Sequence, residues 1–444
     1  MSKQLLNIMN SSLLTPVPSI PTTPLSPSPS AAMLACGASY PNVAARIAER
    51  PTATRVLSIF GTRPEVIKFY PVLKEMDKRS ESILSITCVT GQHRQMIDPL
   101  LSLFDIATDV DLNLMTQGQT LSNLSARLFL ALAPVFEAVR PHLVLVQGDT
   151  TTAMIAAMCA FYYRVPVGHI EAGLRTNDRY NPFPEEVNRR IVSVVGNLHF
   201  APSSYAADAL RAERIDMNTV FVTGNPVIDA IMLIREKVPS AAARQLLDRV
   251  EAADAATNAV LPAGQKARHI LLTAHRRENH GEGIAAICRA VKRIIAQHKD
   301  VHIWYPVHLN PAVCVPVRQE LGKMERVHLL DPLEYDVFVH FLDRMYMVMT
   351  DSGGIQEEVT ALAKPTIVLR ETTERPEGVD AGVTKLVGIN DDTIVKEATL
   401  LLTDDQTFAA MSRKCFPFGD GTAAQQIVDI LLTSLSTNKL SIGA

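Results

Sequence analysis

From Arg55 onward the chain alternates short apolar runs with longer stretches whose apolar residues recur at helical spacing. Val56–Phe60, Ile83–Thr90, Leu143–Gln147, Val165–Ile170, Leu198–Ala201 and Val220–Val222 read as strands. Helices are predicted through Ile67, Tyr70 and Leu73 and over Leu121–Val139. Asn225–Ala267 is charged, alanine-rich and helical, as a crossover between domains would be. A second series follows: strands at His269–Thr273, Val301–Pro306, Val327–Leu330, Tyr346–Thr350 and Thr366–Leu369, with helices over Gly283–His298 and around Phe338. Such a succession predicts parallel sheets covered on both faces. Two series in tandem predict an α/β protein of two Rossmann-like domains facing across a cleft, with ligand where the strand ends meet. Neither series carries G-x-G-x-x-G, and no G-x-x-x-x-G-K is present.

Residues 1–54 are different in kind. They are rich in Ser, Thr and Pro and have no acid before Glu49. A segment of that composition buries too little surface to offset its ordering entropy and is expected to be a disordered tail. Pro16, Pro18 and Pro21 break the apolar core a signal peptide needs, and a transit peptide would carry more arginine.

Composition narrows the class. A chain of 444 residues exceeds one ordinary core. Its apolar content of 47%, charged content of 20% and net charge of −3 suit a globular enzyme with no nucleic-acid or membrane partner. The six cysteines are scattered without a C-x-x-C pair, which fits reduced thiols in a cytoplasm. No apolar run approaches the length of a membrane span.

The chemistry concentrates at predicted strand ends. The stretch Gly168–Arg190, GHIEAGLRTNDRYNPFPEEVNRR, runs from a strand through Glu171 into a helix opening with Glu185 and Glu186. Arg63 and Lys68 put cations at the first strand–helix turn, and Asp149 ends the Leu143–Gln147 strand, where it is equally suited to cap the next helix. In DSGGIQEE, the small residues Ser352, Gly353 and Gly354 let a diphosphate approach a helix N-terminus. Glu358 is placed for ribose hydroxyls, Phe338 for a planar base and Arg375 for phosphate. Each alone is an ordinary turn, core or surface residue; together they favour a nucleoside diphosphate in the second domain. The first domain, with His275 reaching from the other side, then offers acids, bases and cations to the attached group. No metal-ligand spacing and no G-x-S-x-G elbow occur.

The motifs GTRPEVIK (61–68), TGQHRQM (90–96), QGDTTTA (147–153), GHIEAGLRT (168–176), PEEVNR (184–189), TAHRREN (273–279), YPVHLNP (305–311), TDSGGIQEE (350–358) and TTERPEG (372–378) resemble those of the bacterial non-hydrolysing UDP-N-acetylglucosamine 2-epimerases. The resemblance runs from about Arg55 through FPFGDG at 416–421. It implies a GT-B fold, with a first domain at 55–224 completed by a C-terminal helix in 421–444 and a UDP-binding domain at 225–420. It also implies a cytoplasmic homodimer that interconverts UDP-GlcNAc and UDP-ManNAc through a glycal, supplies ManNAc units for cell-surface polysaccharide, and needs no metal or nicotinamide cofactor. The similarity assigns Asp149, Glu171, Glu185 and His275 to catalysis, without saying which carboxylate serves which face of C2. It assigns Arg63, Lys68, Phe338, Ser352, Gly353, Gly354, Glu358 and Arg375 to substrate and UDP. Gln92, Gln95, Arg127, Arg276 and His308 match a second UDP-GlcNAc site that activates the family's bacterial members. Leu333 departs from the pattern, standing where some relatives have a glutamine near the uracil. Rival readings are a GT-B glycosyltransferase, a hydrolysing 2-epimerase releasing ManNAc and UDP, and a non-catalytic UDP-sugar sensor.

Overall fold

The computed structural model describes residues 40–91, 94–114, 116 and 118–437, without the side chains of 94–96. In the first half, β1 (Thr54–Phe60), β2 (Ile83–Val89), β3 (Val110–Asp111), β4 (Leu143–Gln147), β5 (Val167–Ile170), β6 (Leu198–Ala201) and β7 (Val220–Val222) form one parallel sheet in the order β3-β2-β1-β4-β5-β6-β7. In the second, β8 (Arg268–Thr273), β9 (Val301–Pro306), β10 (Val327–Leu330), β11 (Met347–Thr350), β12 (Thr366–Val368) and β13 (Thr384–Leu386) form another, in the order β10-β9-β8-β11-β12-β13. Both orders reverse direction beside their first strand, giving a switch point between β1 and β4 and another between β8 and β11. Helices cover both sheets, and the two halves share a GT-B-like architecture.

The halves are joined by a continuous core. Tyr70 of the first stacks on Phe104, with ring centroids 4.0 Å apart, and Phe104 meets Tyr335 of the second edge-on at 6.1 Å. The chain leaves β7 through Gly224 and Asn225 into the helix Pro226–Arg235, and returns through Phe418–Gly421 into the helix Ala423–Ser436. The two connections touch: a Cβ on Gly224, which sits at φ 86°, would lie 2.7 Å from the Gly419 Cα. The returning helix packs on Arg63–Lys78, the first-half helix that follows β1. The buried cysteines Cys88, Cys159 and Cys288 are free thiols.

Two expectations change. The segment assigned to a tail ends in structure, because Pro41–Glu49 is a helix. It buries Val43 and ion-pairs Arg46 with Asp109, local contacts that bulk composition conceals. Residues 1–39 of that tail lie outside the described residues. The helix Leu121–Val139 is also, at 19 residues and mean hydropathy 1.2, long and apolar enough to cross a membrane. Arg127 and Glu137 interrupt it, so it does not read as an unbroken apolar run. Its Leu124, Leu128, Leu132, Val135 and Phe136 are buried in the first-half core.

Candidate functional site

The carboxyl ends of the strands flanking a switch point leave a crevice in open parallel sheets, and there the side chains of the connecting loops converge. Here β1 leads into Gly61–Arg63, β4 into Gly148–Thr150, β8 into Ala274–Arg276 and β11 into Asp351–Ser352.

β5 delivers Glu171 in the left-handed region, at φ 64°. A non-glycine residue held there costs about 1–3 kcal/mol and marks a position that surrounding contacts over-determine. The next turn requires Gly173, at φ 96°, since a Cβ there would lie 2.2 Å from the Ala206 carbonyl oxygen. Glu171 is buried, and its Oε2 accepts from Lys68 Nζ, from Gln147 Nε2 at 3.2 Å and from Asn225 Nδ2 at 3.0 Å. Burial alone would raise its pKa. Lys68, Arg375 and the donated hydrogen bonds outweigh burial and hold the carboxyl below its ordinary value, so it stays ionised. Burial would likewise lower Lys68, but Glu171 and Glu357 keep it raised and charged.

Asp149 Oδ2 pairs with Arg189 Nη2 at 2.5 Å, and its carbonyl accepts from Asn188 Nδ2 at 2.9 Å. Arg189 stands one helical turn after Glu185, the first residue of the helix Glu185–Val195, so both face this loop. Burial, and then the neighbouring Asp149, push the Glu185 pKa up. Two carboxyls in one region are thus shifted in opposite directions, which separates their chemical roles. The fully buried Glu186 accepts the N–H groups of Thr176 at 3.0 Å and Asn177 at 3.1 Å, and so shapes the loop between Glu171 and Glu185. Glu65 accepts from the Gly61 N–H at 3.0 Å and from Thr150 Oγ1 at 2.8 Å, tying the loop of Arg63 to that of Asp149. Its burial pushes its pKa up to about 7.

From the second half, His275 is partly exposed and stacks on His308, with centroids 5.5 Å apart and planes at 16°. Burial lowers its pKa, Asp351 opposes that, and His308 and Arg276 add to it. Ser352, Gly353 and Gly354 open the helix Gly353–Ala361. The Arg375 guanidinium lies over this turn, 3.1 Å from where a Cβ on Gly353 would be, and its Nε donates to Glu357 Oε1 at 2.8 Å. The other Glu357 oxygen accepts from Asn225 Nδ2 at 2.7 Å. One amide at the crossing between the halves therefore bridges Glu171 and Glu357, in a buried, charge-balanced series of Lys68, Glu171, Asn225, Glu357 and Arg375.

The other expected residues are placed unevenly. Glu358 is buried and accepts from the Tyr335 hydroxyl at 3.2 Å, and its pKa is pushed up to about 7 by burial. Phe338 is partly buried against the shared core. Arg63 Nη2 crosses between the halves to the Leu333 carbonyl at 3.2 Å, so the departing Leu333 contributes its backbone. Arg276 and His308 sit beside His275. Arg127 bonds Thr116 Oγ1 at 2.8 Å. Gln92 lies outside the described residues, as does the side chain of Gln95. The sequence assigned no role to Asn225, Glu357, Gln147, Glu65, Arg189 or Asp351. All but Asn225 lie inside the quoted motifs, and Arg189 also stands four residues after Glu185.

Paired Rossmann-type sheets, with acids and bases at the strand ends of one and a glycine turn under an arginine in the other, define an α/β protein with a GT-B-like fold. The family model described as UDP-N-acetylglucosamine 2-epimerase matches residues 74–432. The chain is 43% identical over 388 residues to the UDP-N-acetylglucosamine 2-epimerase of Escherichia coli K12, covering 87% of this chain and 100% of that one. Among solved structures, the UDP-GlcNAc 2-epimerase of Neisseria meningitidis bound to UDP-GlcNAc is 43% identical with a TM-score of 0.77, over 86% of this chain and 100% of that one. That of Methanocaldococcus jannaschii in complex with UDP-GlcNAc and UDP is 30% identical with a TM-score of 0.70, over 86% and 100%. The chain belongs to the UDP-N-acetylglucosamine 2-epimerase family and is an isomerase of that family.

Proposed function

We propose that the protein interconverts UDP-GlcNAc and UDP-ManNAc without net hydrolysis. The observation that carries this is the buried series from Lys68 to Arg375, which joins the strand ends of the first half to the glycine turn of the second. The C2 hydrogen is not beside a carbonyl, so direct abstraction is too costly. Instead the C1–O bond to UDP breaks with its electron pair going to UDP, the C2 proton goes to a base, and a C1–C2 double bond forms. UDP then returns to C1 while a proton reaches the opposite face of C2. The leaving diphosphate needs cations and backbone N–H groups, which Arg375 and the Gly353 turn supply. Glu171, held ionised, offsets positive charge building at C1, and Glu185, with its raised pKa, is suited to giving and taking the proton. Asp149 and His275 complete the catalytic group; Arg63, Lys68, Phe338, Ser352, Gly354 and Glu358 surround substrate.

The test is proton NMR of the purified protein with UDP-GlcNAc in D2O. Deuterium at C2 of UDP-ManNAc, and later of UDP-GlcNAc, is expected. Free ManNAc with UDP would mean the hydrolysing reaction instead, and no change would leave a glycosyltransferase or a sensor.

A second UDP-GlcNAc, held by Gln92, Gln95, Arg127, Arg276 and His308, activates the enzyme; His308 stacked on His275 supports a route between the sites. Strictly hyperbolic kinetics, with UDP-ManNAc turned over alone, would remove it. The chain also forms a cytoplasmic homodimer through the adjoining helices Leu121–Val139, Thr151–Tyr162 and Glu185–Val195. These expose Leu130 at 52%, Phe161 at 57%, Tyr162 at 63% and Val194 at 78%, apolar side chains that a second copy would cover. Sedimentation at single-chain mass would exclude it. The product would supply ManNAc units for cell-surface polysaccharide, which loss of those units on deletion of the gene would test.

A further inference from the structure

We propose that Asp351 is the positioning residue for His275: it accepts a hydrogen bond from Nδ1–H and so presents Nε2 to the reacting sugar. The proposal rests on the reading of His275 as a catalytic residue. Asp351 follows β11 at the second-half switch point and is wholly buried. One of its oxygens, Oδ2, serves three donors: the backbone N–H of His275 at 2.8 Å, that of Arg276 at 2.8 Å and Asn279 Nδ2 at 2.9 Å. The other, Oδ1, is buried with no hydrogen-bond partner among the described residues and lies 3.5 Å from His275 Nδ1.

A buried carboxylate oxygen without a donor is costly, and native structures seldom retain one unless it has a task. The gap to the ring is only slightly longer than a normal hydrogen bond, about 2.7–3.2 Å. Catalytic hydrogen bonds are often long in the unliganded protein and tighten when substrate binds. A small rotation of the imidazole closes this one. The same carboxylate already fixes the main chain at His275 and Arg276, so it sets both where the ring stands and which way it turns.

The partner of one ring nitrogen decides the protonation of the other. With Nδ1–H on Asp351, the neutral ring carries a free acceptor at Nε2 and the charged ring a donor there. The remaining groups around the ring are His308 stacked on its face, Arg276 next in the chain, and His280, whose Nε2 lies 3.3 Å from the His275 carbonyl oxygen. His308, Arg276 and His280 all disfavour a charged ring. Asp351 is the one carboxylate set against them among the causes acting on His275.

The experiment is long-range 1H–15N NMR of the full chain labelled at histidine, with H275Q to assign the ring. At neutral pH the wild-type ring should carry its proton on Nδ1. Asp351→Asn keeps an oxygen for the three donors but turns an NH2 to the ring. It should move the proton to Nε2 and lower kcat by about 10²–10⁴-fold, the range seen when a carboxylate behind a catalytic histidine is neutralised, with KM for UDP-GlcNAc changed only a few-fold. A wild-type proton on Nε2 overturns the proposal. So does a folded D351N protein with an unchanged tautomer, which would make Asp351 only an anchor of the loop. The wild-type spectrum decides even where D351N does not fold. An H275Q enzyme of near-normal activity would sink the catalytic reading of His275 while leaving the tautomer result intact, so the two failures are told apart.

Discussion

Two buried polar clusters lie at opposite ends of the strands. At the carboxyl ends, Lys68, Glu171, Asn225, Glu357 and Arg375 come from both halves and set two cations against two carboxyls around one amide. At the amino ends of β8, β9 and β10, within the second half alone, His269, His302 and His328 gather against Trp304. Trp304 Nε1 donates to His269 Nδ1 at 2.9 Å, which puts the His269 proton on Nε2, facing Asp254 Oδ1 at 2.8 Å. His302 lies 2.7 Å from Thr257 Oγ1 and 3.0 Å from His328. Both clusters are desolvated, and they meet the cost differently. The cleft keeps its charges by balancing cation against carboxylate, which works only with close geometry. The histidines avoid the cost by staying neutral, because burial and neighbouring positive groups push His302 and His328 down to about 4. Under the proposed function, the charged network held on a left-handed Glu171 serves the reaction, and the neutral stack on regular strands serves the fold.

The largest effect should come from Glu171→Gln. It removes the charge proposed to face the sugar and leaves Lys68 buried beside a neutral amide. We expect kcat to fall by about 10³-fold and stability to fall by up to about 3–5 kcal/mol, the cost of breaking a buried pair. Turnover and urea denaturation measure the two. Full activity would show that the cleft network is structural and erase the contrast. Asn225→Ala comes next, because it deprives Glu171 and Glu357 of their shared donor without removing a charge. A loss of about 1–3 kcal/mol is expected, with kcat reduced about tenfold and more than KM. Stability lost with kcat intact would mean that the bridge only holds the halves together.

The difference between the clusters also explains what could be read from the chain. Asp149, Glu171 and Lys68 stand out because each follows an apolar run or a glycine turn, and a strand end is where open sheets expose their loops. The cores of β4, β6, β7, β9 and β10 were legible as apolar runs with the observed bounds. β3 and β13, of two and three residues, are too short to form a pattern, and the helix Pro41–Glu49 is masked by its Ser- and Pro-rich surroundings. Asn225 reads only as the start of a crossover, since its partners lie 54 and 132 residues away. Glu358 was placed for a ribose by its spacing in the motif, but no sequence pattern shows that the Tyr335 hydroxyl reaches it first. The three histidines give no signal at all, because they meet only when β8, β9 and β10 pair.

His302→Phe tests the other side of the contrast and should have the smallest effect on activity. The ring keeps its packing against His328 but loses the polar contacts to Thr257 Oγ1 and His328 Nε2, costing about 1–3 kcal/mol at pH 7 and leaving kcat unchanged. Acid is where the substitution shows. A histidine whose folded pKa is depressed from 6.5 to about 4 takes up its proton more readily when unfolded. It therefore takes nothing from stability above pH 6.5, and an increasing amount as pH falls from 6.5 through 4. Phenylalanine has no proton to gain, so the variant should lose stability less steeply across that window, which urea titrations at pH 7, 6 and 5 would measure. A parallel acid profile would place the titrating groups elsewhere. An acid profile unchanged together with a fall in kcat would go further, because it would mean that the amino-terminal cluster is coupled to the cleft through the sheet. The separation drawn between chemistry at one end of the strands and stability at the other would then fail.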